Sequence, residues 1–342
     1  MSPKPLTIAM ISVHSSPLGK LGTRDTGGMS VYIRELARQL GRRRHRVDIF
    51  TRGAPGLAPG AVHAICPGVQ LVAFDLGPAA EIPKSALPPY LNGFFLQMDR
   101  FRHRQGTVYD LIHSHYWLSG RVGQKAGREW ALPHLTTFHT LGAAKNSACG
   151  AQAEPQNRIT AERDLAGDAT RLLATSARER ENLVRYCAAA PERIDVVPCG
   201  VDLDRFQPVD RTAARRQIGV GPKEKLVLYV GRLAPEKGLD RLIRAVALLG
   251  HISQLRLIVV GGDDQHDPTR RRMMDLSRSC GIGGRIAFQG RVEQSELPRL
   301  YSAADLLALP SSYESFGMVA LEALACGTPV AATRVGAMEQ LL

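Results

Sequence analysis

DLLALPSSYESFGMVALEALACGTPV, the stretch from Asp305 to Val330, contains a complete change from strand to helix. The apolar run Leu306–Leu309 is bounded by polar and turn residues, which predicts a short buried strand. A polar turn and Gly317 follow it, and the Gly-Thr-Pro sequence at residues 327–329 ends the apolar helix that comes next. Such a strand, turn and helix form the repeating unit of α/β folds with a parallel sheet.

Two carboxylates, Glu314 and Glu322, flank the predicted start of this helix, with seven residues between them. In open parallel sheets, ligands bind where strands end and helices begin. We therefore expect the chemical centre of the protein at this crossing.

The rest of the chain alternates strands and helices in two series, which predicts doubly wound parallel sheets. In the second half, strands are predicted at Leu226–Val230, Leu255–Val260, Arg285–Phe288, Leu306–Leu309 and Val330–Ala332, and helices from Leu239, Thr269, Ser295 and Gly317. In the first half, strands are predicted at Leu6–Val13, Val47–Phe50, Val69–Phe74, Leu111–His113, His134–Phe138, Leu172–Ala174 and Ile194–Val197. Helices are predicted there from Met29 and around Leu91–Arg104 and Arg121–Trp130.

The length of 342 residues exceeds what one hydrophobic core usually supports, so two domains are expected. The segment PCGVDLDRFQP, Pro198–Pro208, interrupts the alternation with a proline at each end and is interpreted as their connector. We place the N-terminal domain at residues 1–199 and the C-terminal domain at residues 200–342. The second series stops at Leu342 without closing strands, so we expect the C-terminal domain to be incomplete.

The composition is that of an ordinary globular protein, with 44% hydrophobic and 22% charged residues. The apolar run at residues 6–13 is too short to span a bilayer and lacks a small-residue cleavage site after it. The six cysteines are scattered, without CxxC pairs, which favours reduced thiols. A cytoplasmic protein is expected.

The net charge of +12 raises the question of an anionic partner. The densest basic run, Arg42–Arg46, closes a predicted amphipathic helix, and cations at that end complement the helix dipole. Peripheral docking of this run on the inner face of a membrane stays open as an alternative. Nucleic-acid binding is not expected, because aromatic residues make up only 6% of the chain and do not alternate with the basic ones.

Two loops that lead into helices could bind an anion. HSSPLGKLGTRDTGG, His14–Gly28, is rich in glycine, and free backbone N–H groups at a helix start attract anions, but the loop lacks the GxGxxG spacing of dinucleotide sites. VLYVGRLAPEKGLDRLI, Val227–Ile243, places Arg232 and Lys237 beside another helix start. A guanidinium and an ammonium five residues apart suit a diphosphate.

No metal and no other cofactor is expected. His113 and His115 share one face of a strand end, but no carboxylate or cysteine accompanies them at ligand spacing, so structural or ligand-contacting roles are favoured. In GGDDQHDP, residues 261–268, the acidic residues and the histidine suit a turn and a helix cap better than a metal.

Together, these motifs resemble the retaining glycosyltransferases of family four, which have the GT-B fold. The resemblance rests on GRLAPEKG and ESFGMVALEALACGTPV, and on GGMSVYIRELARQL, DLIHSHYWLSG, TTFHTLGAAKN and CGVDLDRFQP in the first half. The first half is most similar to the enzymes that glycosylate inositol phosphate in mycothiol synthesis, and next to the sucrose-phosphate synthases. The resemblance implies two Rossmann-like domains facing across a cleft, with the acceptor bound by the N-terminal domain and the nucleotide sugar by the C-terminal domain.

The resemblance assigns donor and catalytic roles by position in the motifs. Arg232 and Lys237 would bind the donor diphosphate, and Glu322 would accept hydrogen bonds from the ribose. Glu314 would face the transferred sugar, and His139 would contact that sugar near the reacting centre. The other donor contacts implied are Gly28, Val292, Ser315, Phe316, Gly317 and Met318.

The resemblance also implies a cradle for an acceptor phosphate. Its members would be Lys84, Tyr116, Thr140 and Arg158. Two cations and two hydroxyl donors are a suitable set of partners for a phosphate.

The expected reaction is metal-independent, retaining transfer of a hexosyl unit from UDP-glucose or UDP-GlcNAc to an acceptor hydroxyl. Arg232 and Lys237 would neutralise the charge on the leaving diphosphate. Glu314 suits hydrogen bonding to sugar hydroxyls better than nucleophilic attack, which favours front-face attack within an ion pair. The alternatives are a lipid-linked or polysaccharide acceptor at a membrane surface, and a basic scaffold without chemistry. A phosphorylase would need a pyridoxal-phosphate motif, and an epimerase lacks this glutamate spacing.

Overall fold

A computed structural model describes residues 4–19, 26–53, 57–76, 82–150, 154–262 and 267–342. The chain divides between Val197 and Pro198 into two units, and each unit has its own sheet. The division falls at the start of the proline-bounded connector, two residues before the boundary placed between residues 199 and 200.

The first unit is built on a sheet of eight strands. They are β1 (Thr7–Ser12), β2 (Arg46–Arg52), β3 (Val62–Cys66), β4 (Val69–Phe74), β5 (Leu111–His115), β6 (His134–Thr137), β7 (Arg171–Ala174) and β8 (Ile194–Val196). Their order across the sheet is β3-β4-β2-β1-β5-β6-β7-β8. Neighbouring strands are parallel except β3 and β4, which are antiparallel. The strand order changes direction at β1, so the topological switch point lies between β1 and β5.

Helices connect these strands and bury their apolar faces on the sheet. They are α1 (Gly28–Arg42), α2 (Leu91–Gln105), α3 (Tyr116–Glu129), α4 (Gly142–Cys149), α5 (Gln156–Asp168) and α6 (Ala177–Cys187), with short 3₁₀ turns at Lys84–Ala86, Pro88–Tyr90 and Pro191–Arg193. Ile33 and Ala37, four residues apart on α1, are fully buried in one cluster with Met10 and Ile49 of the central strands. The helical spacing of apolar residues therefore places α1 against the sheet.

The second unit is built on a sheet of five parallel strands. They are β9 (Lys225–Val230), β10 (Leu255–Val260), β11 (Ile286–Gly290), β12 (Leu306–Leu309) and β13 (Val330–Ala332), in the order β11-β10-β9-β12-β13. The helices are α7 (Arg211–Gln217), α8 (Leu239–Leu248), α9 (Pro268–Ser279), α10 (Leu297–Ala303), α11 (Met318–Ala325) and α12 (Met338–Leu341). Short 3₁₀ turns lie at Pro235–Lys237, Gly283–Arg285 and Gln294–Glu296.

The strands of the second unit are apolar on both faces because helices cover both. On β10, Ile258 and Val260 belong to one core cluster, whereas Leu257 and Val259 belong to the other. Alternate residues of a strand point to opposite faces, so a continuous apolar run predicts such a doubly covered sheet.

The structure confirms the α/β class and differs from the prediction at the edges of elements. Strand β3 was not predicted, because it is a short edge strand whose first residue, Val62, is 50% exposed and which pairs only with β4. Helix α3 begins at Tyr116, directly after β5, and not at Arg121. Tyr116, Trp117 and Leu118 of its first turn are themselves buried, so tertiary packing determines where this helix begins.

Candidate functional site

The loops after β9 and β12 contain most of the residues assigned to the donor. These two strands are parallel neighbours, with Leu228 opposite Leu307, and the switch point of the second sheet lies between them. The Nζ atom of Lys237 lies 2.6 Å from Oε1 of Glu314. The structure therefore brings together two site residues that are 77 positions apart in the chain.

Further contacts fix the positions of these two loops. The hydroxyl of Ser311 donates to the same Oε1 of Glu314, at 2.9 Å. The guanidinium of Arg241 donates to the carbonyl of Pro310, at 2.7 Å. Gly238 has a φ of +69°, and a Cβ atom there would lie 2.2 Å from that carbonyl oxygen. Only glycine fits this close approach of the two loops.

Arg232 lies at the more open side of the same loop. Its Nη2 atom is 3.6 Å from Oε1 of Glu236, and its side chain is 44% exposed. The hydroxyl of Tyr229 donates to the carbonyl of Arg232, at 2.8 Å, which holds the backbone here. A guanidinium on a fixed backbone with an accessible side chain is suited to bind an anion.

Glu322, on α11, is buried and accepts a 2.8 Å hydrogen bond from the hydroxyl of Tyr301. Burial raises the pKa of this carboxyl group to about 7, and the hydrogen bond from Tyr301 opposes that rise. Gln294 also hydrogen-bonds Glu322, and it accepts from Arg205 at 2.8 Å. Among the described residues, Tyr301 and Gln294 are its hydrogen-bond partners, and the nearby charge of Arg205 also lowers the pKa of this carboxyl group.

The turn before α11 supplies backbone groups. Gly317, at the N-cap of α11, has a φ of +101°, a conformation that side chains other than glycine rarely adopt. Among the described residues, no side chain caps this helix start. The N–H of Ala320 donates to the carbonyl of Gly317, at 2.9 Å, which leaves the N–H groups of Met318 and Val319 for a ligand. Phe316 is buried, whereas Ser315 and Met318 are partly exposed. Val292, another of the expected donor contacts, is partly buried and packs against a core cluster of the second unit.

The first unit brings the four predicted acceptor residues together from separate segments. The guanidinium carbon of Arg158 lies 4.7 Å from the centre of the Tyr116 ring, and the Nζ atom of Lys84 lies 5.9 Å from it. Arg158 also donates to the hydroxyl and the carbonyl of Thr140, at 2.9 Å and 2.8 Å. Burial raises the pKa of the Tyr116 hydroxyl to about 12, so it is a hydrogen-bond donor at neutral pH.

Two glutamates that sequence reasoning missed hold Arg158 in place. Its Nε atom lies 2.6 Å from Oε1 of Glu162, and its Nη1 atom lies 2.6 Å from Oε2 of Glu154. Glu162 also accepts from the backbone N–H of Gly142, at 2.8 Å. The signal was the spacing of four residues between Glu154, Arg158 and Glu162, of which the last two face each other on α5, whereas Glu154 lies two residues before its start.

His14 is a further member of this cluster that sequence reasoning missed. It follows β1, the strand beside β5, and its ring centre lies 4.4 Å from that of Tyr116. Burial, together with the nearby cations Lys84, Arg52 and Arg158, holds the pKa of His14 well below its usual range. Within the described part of the chain its buried Nδ1 atom has no hydrogen-bond partner. Its position after a strand, on the same sheet edge as Tyr116, was the available signal.

Two site residues have strained backbones. Tyr116 and His139 have φ angles of +74° and +60°, and each lies just beyond the end of a central strand. Positive φ is costly for residues with side chains and persists only where the surrounding structure enforces it. The Nε2 atom of His139 lies 2.9 Å from Nδ1 of His115, inside the unit.

The structure also describes part of the glycine-rich loop and the basic run at residues 42–46. Gly28 is the first residue of α1, but residues 20–25 of the loop before it lie outside the described residues. Between the end of α1 and the start of β2, Arg42, Arg43, Arg44 and Arg46 are exposed, whereas His45 is buried and accepts from the N–H of Leu6. In the described part of the chain, no helix is long and apolar enough to cross a membrane.

Two stretches of the sequence, around His113 and His115 and at residues 261–268, contain side chains of the types that bind metals. Among the described residues, no three or more His, Cys, Asp or Glu side chains are grouped to hold a metal ion. Asp267 caps α9 by accepting from the N–H of Thr269, as a helix cap would. The neighbouring residues 263–266 lie outside the described residues.

Family models match both units. The model described as Glycosyltransferase Family 4 matches residues 26–205, and the model described as Glycosyl transferases group 1 matches residues 210–342. The D-inositol 3-phosphate glycosyltransferase of Rhodococcus opacus (strain B4) is 43% identical over 343 residues, which cover 98% of this chain and 76% of that protein. The enzyme of the same description from Mycobacterium sp. (strain KMS) is also 43% identical, with 98% and 76% covered.

Solved structures agree with these matches. The sucrose-phosphate synthase from Thermosynechococcus elongatus superposes with a TM-score of 0.89 at 35% identity, covering 98% of this chain and 83% of that chain. Anabaena HepE, solved in complex with UDP and glucose, superposes with a TM-score of 0.74 at 21% identity, again over 98% and 83% of the two chains, which shows a shared fold. These matches confirm the family and the fold expected from the sequence motifs. The chain belongs to glycosyltransferase family four, and it is a glycosyltransferase with the two Rossmann-like domains of the GT-B fold.

Proposed function

We propose that this glycosyltransferase moves a hexosyl unit from a UDP-sugar, UDP-glucose or UDP-GlcNAc, to a hydroxyl of a small phosphorylated polyol or sugar, with retention of configuration. The observation that carries the proposal is the convergence of Arg158, Tyr116, Thr140 and Lys84 in the first unit. In this proposal, residues 1–199 bind the acceptor and residues 200–342 bind the nucleotide sugar.

The donor diphosphate is bound by Arg232 and Lys237. As the bond between the anomeric carbon and the diphosphate oxygen breaks, its electron pair moves to that oxygen. The two cations neutralise the growing negative charge, which lowers the barrier without a metal ion. Lys237 is kept in position by Glu314, and Arg232 remains accessible to the ligand.

Glu314 serves as a ligand for the transferred sugar. Its Oε1 atom already accepts from both Lys237 and Ser311, so this oxygen is fixed and partly neutralised. A carboxylate held in this way is a weaker nucleophile, and its other oxygen can accept from a sugar hydroxyl. The acceptor oxygen therefore attacks the anomeric carbon from the side of the leaving group, and its proton passes to the departing phosphate.

Glu322 and the turn at residues 315–318 complete the donor site. The carboxyl group accepts hydrogen bonds from the ribose hydroxyls, which replaces some of the solvation that it lacks when buried. The N–H groups of Met318 and Val319 at the start of α11 face negative charge on the donor. The backbone of residues 290–292 contacts the base.

A phosphorylated acceptor fits the charge of the cradle. Arg158 retains its geometry through the buried Glu162 and the partly buried Glu154, while Lys84 contributes a second cation and Tyr116 a hydroxyl. The relatives named D-inositol 3-phosphate glycosyltransferase and sucrose-phosphate synthase support a phosphate on the acceptor side. Inositol phosphate and fructose 6-phosphate are therefore the first acceptors to test.

The proposal is tested by measuring UDP release from UDP-glucose and UDP-GlcNAc with each acceptor. Inositol phosphate, fructose 6-phosphate and their unphosphorylated forms are compared, and product mass confirms transfer. We expect rapid release with at least one phosphorylated acceptor and little with its unphosphorylated form. Release with only lipid-linked or polysaccharide acceptors would contradict the phosphate cradle, and no release with any acceptor would favour the scaffold alternative.

A further inference from the structure

The buried pair His115 and His139 defines which ring nitrogen of His139 can reach a substrate. His115, the last residue of β5, is fully buried, and His139 lies two residues beyond β6, the neighbouring strand. Their Nδ1 and Nε2 atoms are 2.9 Å apart. Because this bond uses Nε2 of His139, its Nδ1 atom is the ring nitrogen left for a ligand.

Both rings are neutral. Burial lowers the pKa of His139 to about 3, and burial together with His113 and His139 lowers the pKa of His115 well below its usual value. The ring of Tyr32 packs edge-on against both, with centroid distances of 5.9 Å and 5.2 Å. A bond between two neutral imidazoles needs one N–H donor and one bare nitrogen, so only two arrangements exist.

The second nitrogen of His115 decides between these arrangements. Its Nε2 atom is buried and has no hydrogen-bond partner among the described residues. If His139 were the donor, His115 would carry its proton on this nitrogen, as a buried N–H without an acceptor. Orphaned buried N–H groups are rarer than orphaned acceptors, so the lower-energy arrangement leaves this nitrogen bare.

We propose that His115 is a positioning residue, which donates its Nδ1–H to Nε2 of His139 and so fixes His139 as the tautomer with its proton on Nδ1. His139 then offers a hydrogen-bond donor, and no lone pair, to an oxygen of the sugar. This tautomer cannot act as a general base through Nδ1, so the acceptor proton goes to the departing phosphate, as in the proposed reaction. The strained φ of +60° at His139 is held in part by the same bond.

The tautomer can be measured without substrate. Two-bond ¹H–¹⁵N correlation spectra of the full chain labelled with ¹⁵N-histidine assign the protonated nitrogen of each ring, with His139→Gln and His115→Asn used for assignment. We expect protonation at Nδ1 in both residues. A proton on Nε2 of His139 would overturn the proposal. This readout does not depend on which substrate is used.

The consequence for transfer rests on the proposed function and uses an isosteric pair of variants. Asn at position 115 keeps a donor near the place of Nδ1, whereas Leu of the same shape has none. We expect His115→Leu to lower kcat about tenfold, the loss typical of one hydrogen bond, and His115→Asn to stay within about threefold of wild type. His113→Leu is the control for damage to β5, because His113 bonds Thr137 and not His139.

If His115 is a positioning residue, His115→Leu must lose more kcat than His115→Asn. Equal losses for His115→Asn and His115→Leu, or an equal loss for His113→Leu, would reduce His115 to a structural residue. If the wild-type chain transfers no sugar, the proposed function fails, and the spectra still decide the tautomer.

Discussion

Glu322 holds its carboxyl group in a buried position, where the hydroxyl of Tyr301 donates a hydrogen bond to it. Burial raises its pKa to about 7, above the value of 4.5 for an exposed glutamate. Between these two values, the folded chain keeps a proton that the unfolded chain releases. Stability therefore falls as pH rises through this window, by about 3 kcal/mol in total, and stays lower above it.

The first prediction follows from the stability that the protein loses when the buried Glu322 ionises. Gln at position 322 can still accept from Tyr301 but cannot ionise, so Glu322→Gln should match wild type near pH 4.5 and be more stable near pH 8, by up to about 3 kcal/mol. Urea unfolding at several pH values measures the difference. The same variant should bind the donor more weakly, because a neutral amide accepts less strongly from ribose hydroxyls. A stability difference that does not grow with pH would show that Glu322 ionises normally.

The second prediction concerns the two cations of the donor site. Arg232→Ala and Lys237→Ala each remove a charge that is needed most when the diphosphate leaves, so kcat should fall by about 100-fold or more. Arg244→Ala, which removes an exposed cation from the same helix region, is the control and should retain activity. A rise in KM for the donor at unchanged kcat would mean that the cations bind the ground state only.

At the level of elements, the strand-loop-helix units of the second unit could be predicted from the sequence. The apolar runs of β9 and β12, and the glycines that follow them, give strong local signals for strands and turns. The switch point between these strands then follows from their order in the sheet. The pairing of Lys237 with Glu314 could not be read from the sequence, because only the three-dimensional arrangement brings residues 77 positions apart into contact.

The residues of the acceptor cluster could not be predicted from local sequence patterns. Its residues come from a 3₁₀ turn, two strand ends and a helix, and no local spacing links them, so only family resemblance pointed to Lys84 and Tyr116. His14 was missed because a lone histidine in a glycine-rich loop has no distinguishing local pattern. The edge strand β3 was missed for a related reason, since its exposed residues weaken the apolar alternation.

The third prediction tests the close packing of the two donor loops. At Gly238 a Cβ atom would lie 2.2 Å from the carbonyl oxygen of Pro310, and the positive φ adds strain. Gly238→Ala should therefore destabilise the protein by more than about 2 kcal/mol and impair donor binding by displacing Lys237.

Gly281→Ala is the matched control for that prediction. Gly281 has a similar φ of +74°, but no heavy atom lies within 4 Å of its added Cβ. Gly281→Ala should lower the free energy of unfolding only by the backbone strain, about 1 kcal/mol, and should leave donor binding unchanged. Equal effects of the two substitutions on stability and donor affinity would show that the contact with Pro310 is unimportant.

For the whole molecule, each unit contributes one half of the proposed chemistry. The second unit holds two cations and two carboxylates at its switch point, as a nucleotide-sugar site requires. The first unit holds a buried arginine, a lysine and an aromatic hydroxyl beside its own switch point. Sequence patterns predicted the α/β class, whereas the identity of the acceptor depends on loops that follow no regular pattern.

The most direct test of a phosphorylated acceptor combines one substitution with one change of substrate. Lys84→Ala removes a cation that, in the proposed function, binds the acceptor phosphate. The measurement is kcat/KM of the wild type and of Lys84→Ala with inositol phosphate and with unphosphorylated inositol, at saturating UDP-sugar. We predict a loss of about 10- to 100-fold with inositol phosphate, the value of a charge-assisted hydrogen bond, and almost none with inositol. An equal loss with both acceptors would contradict the account.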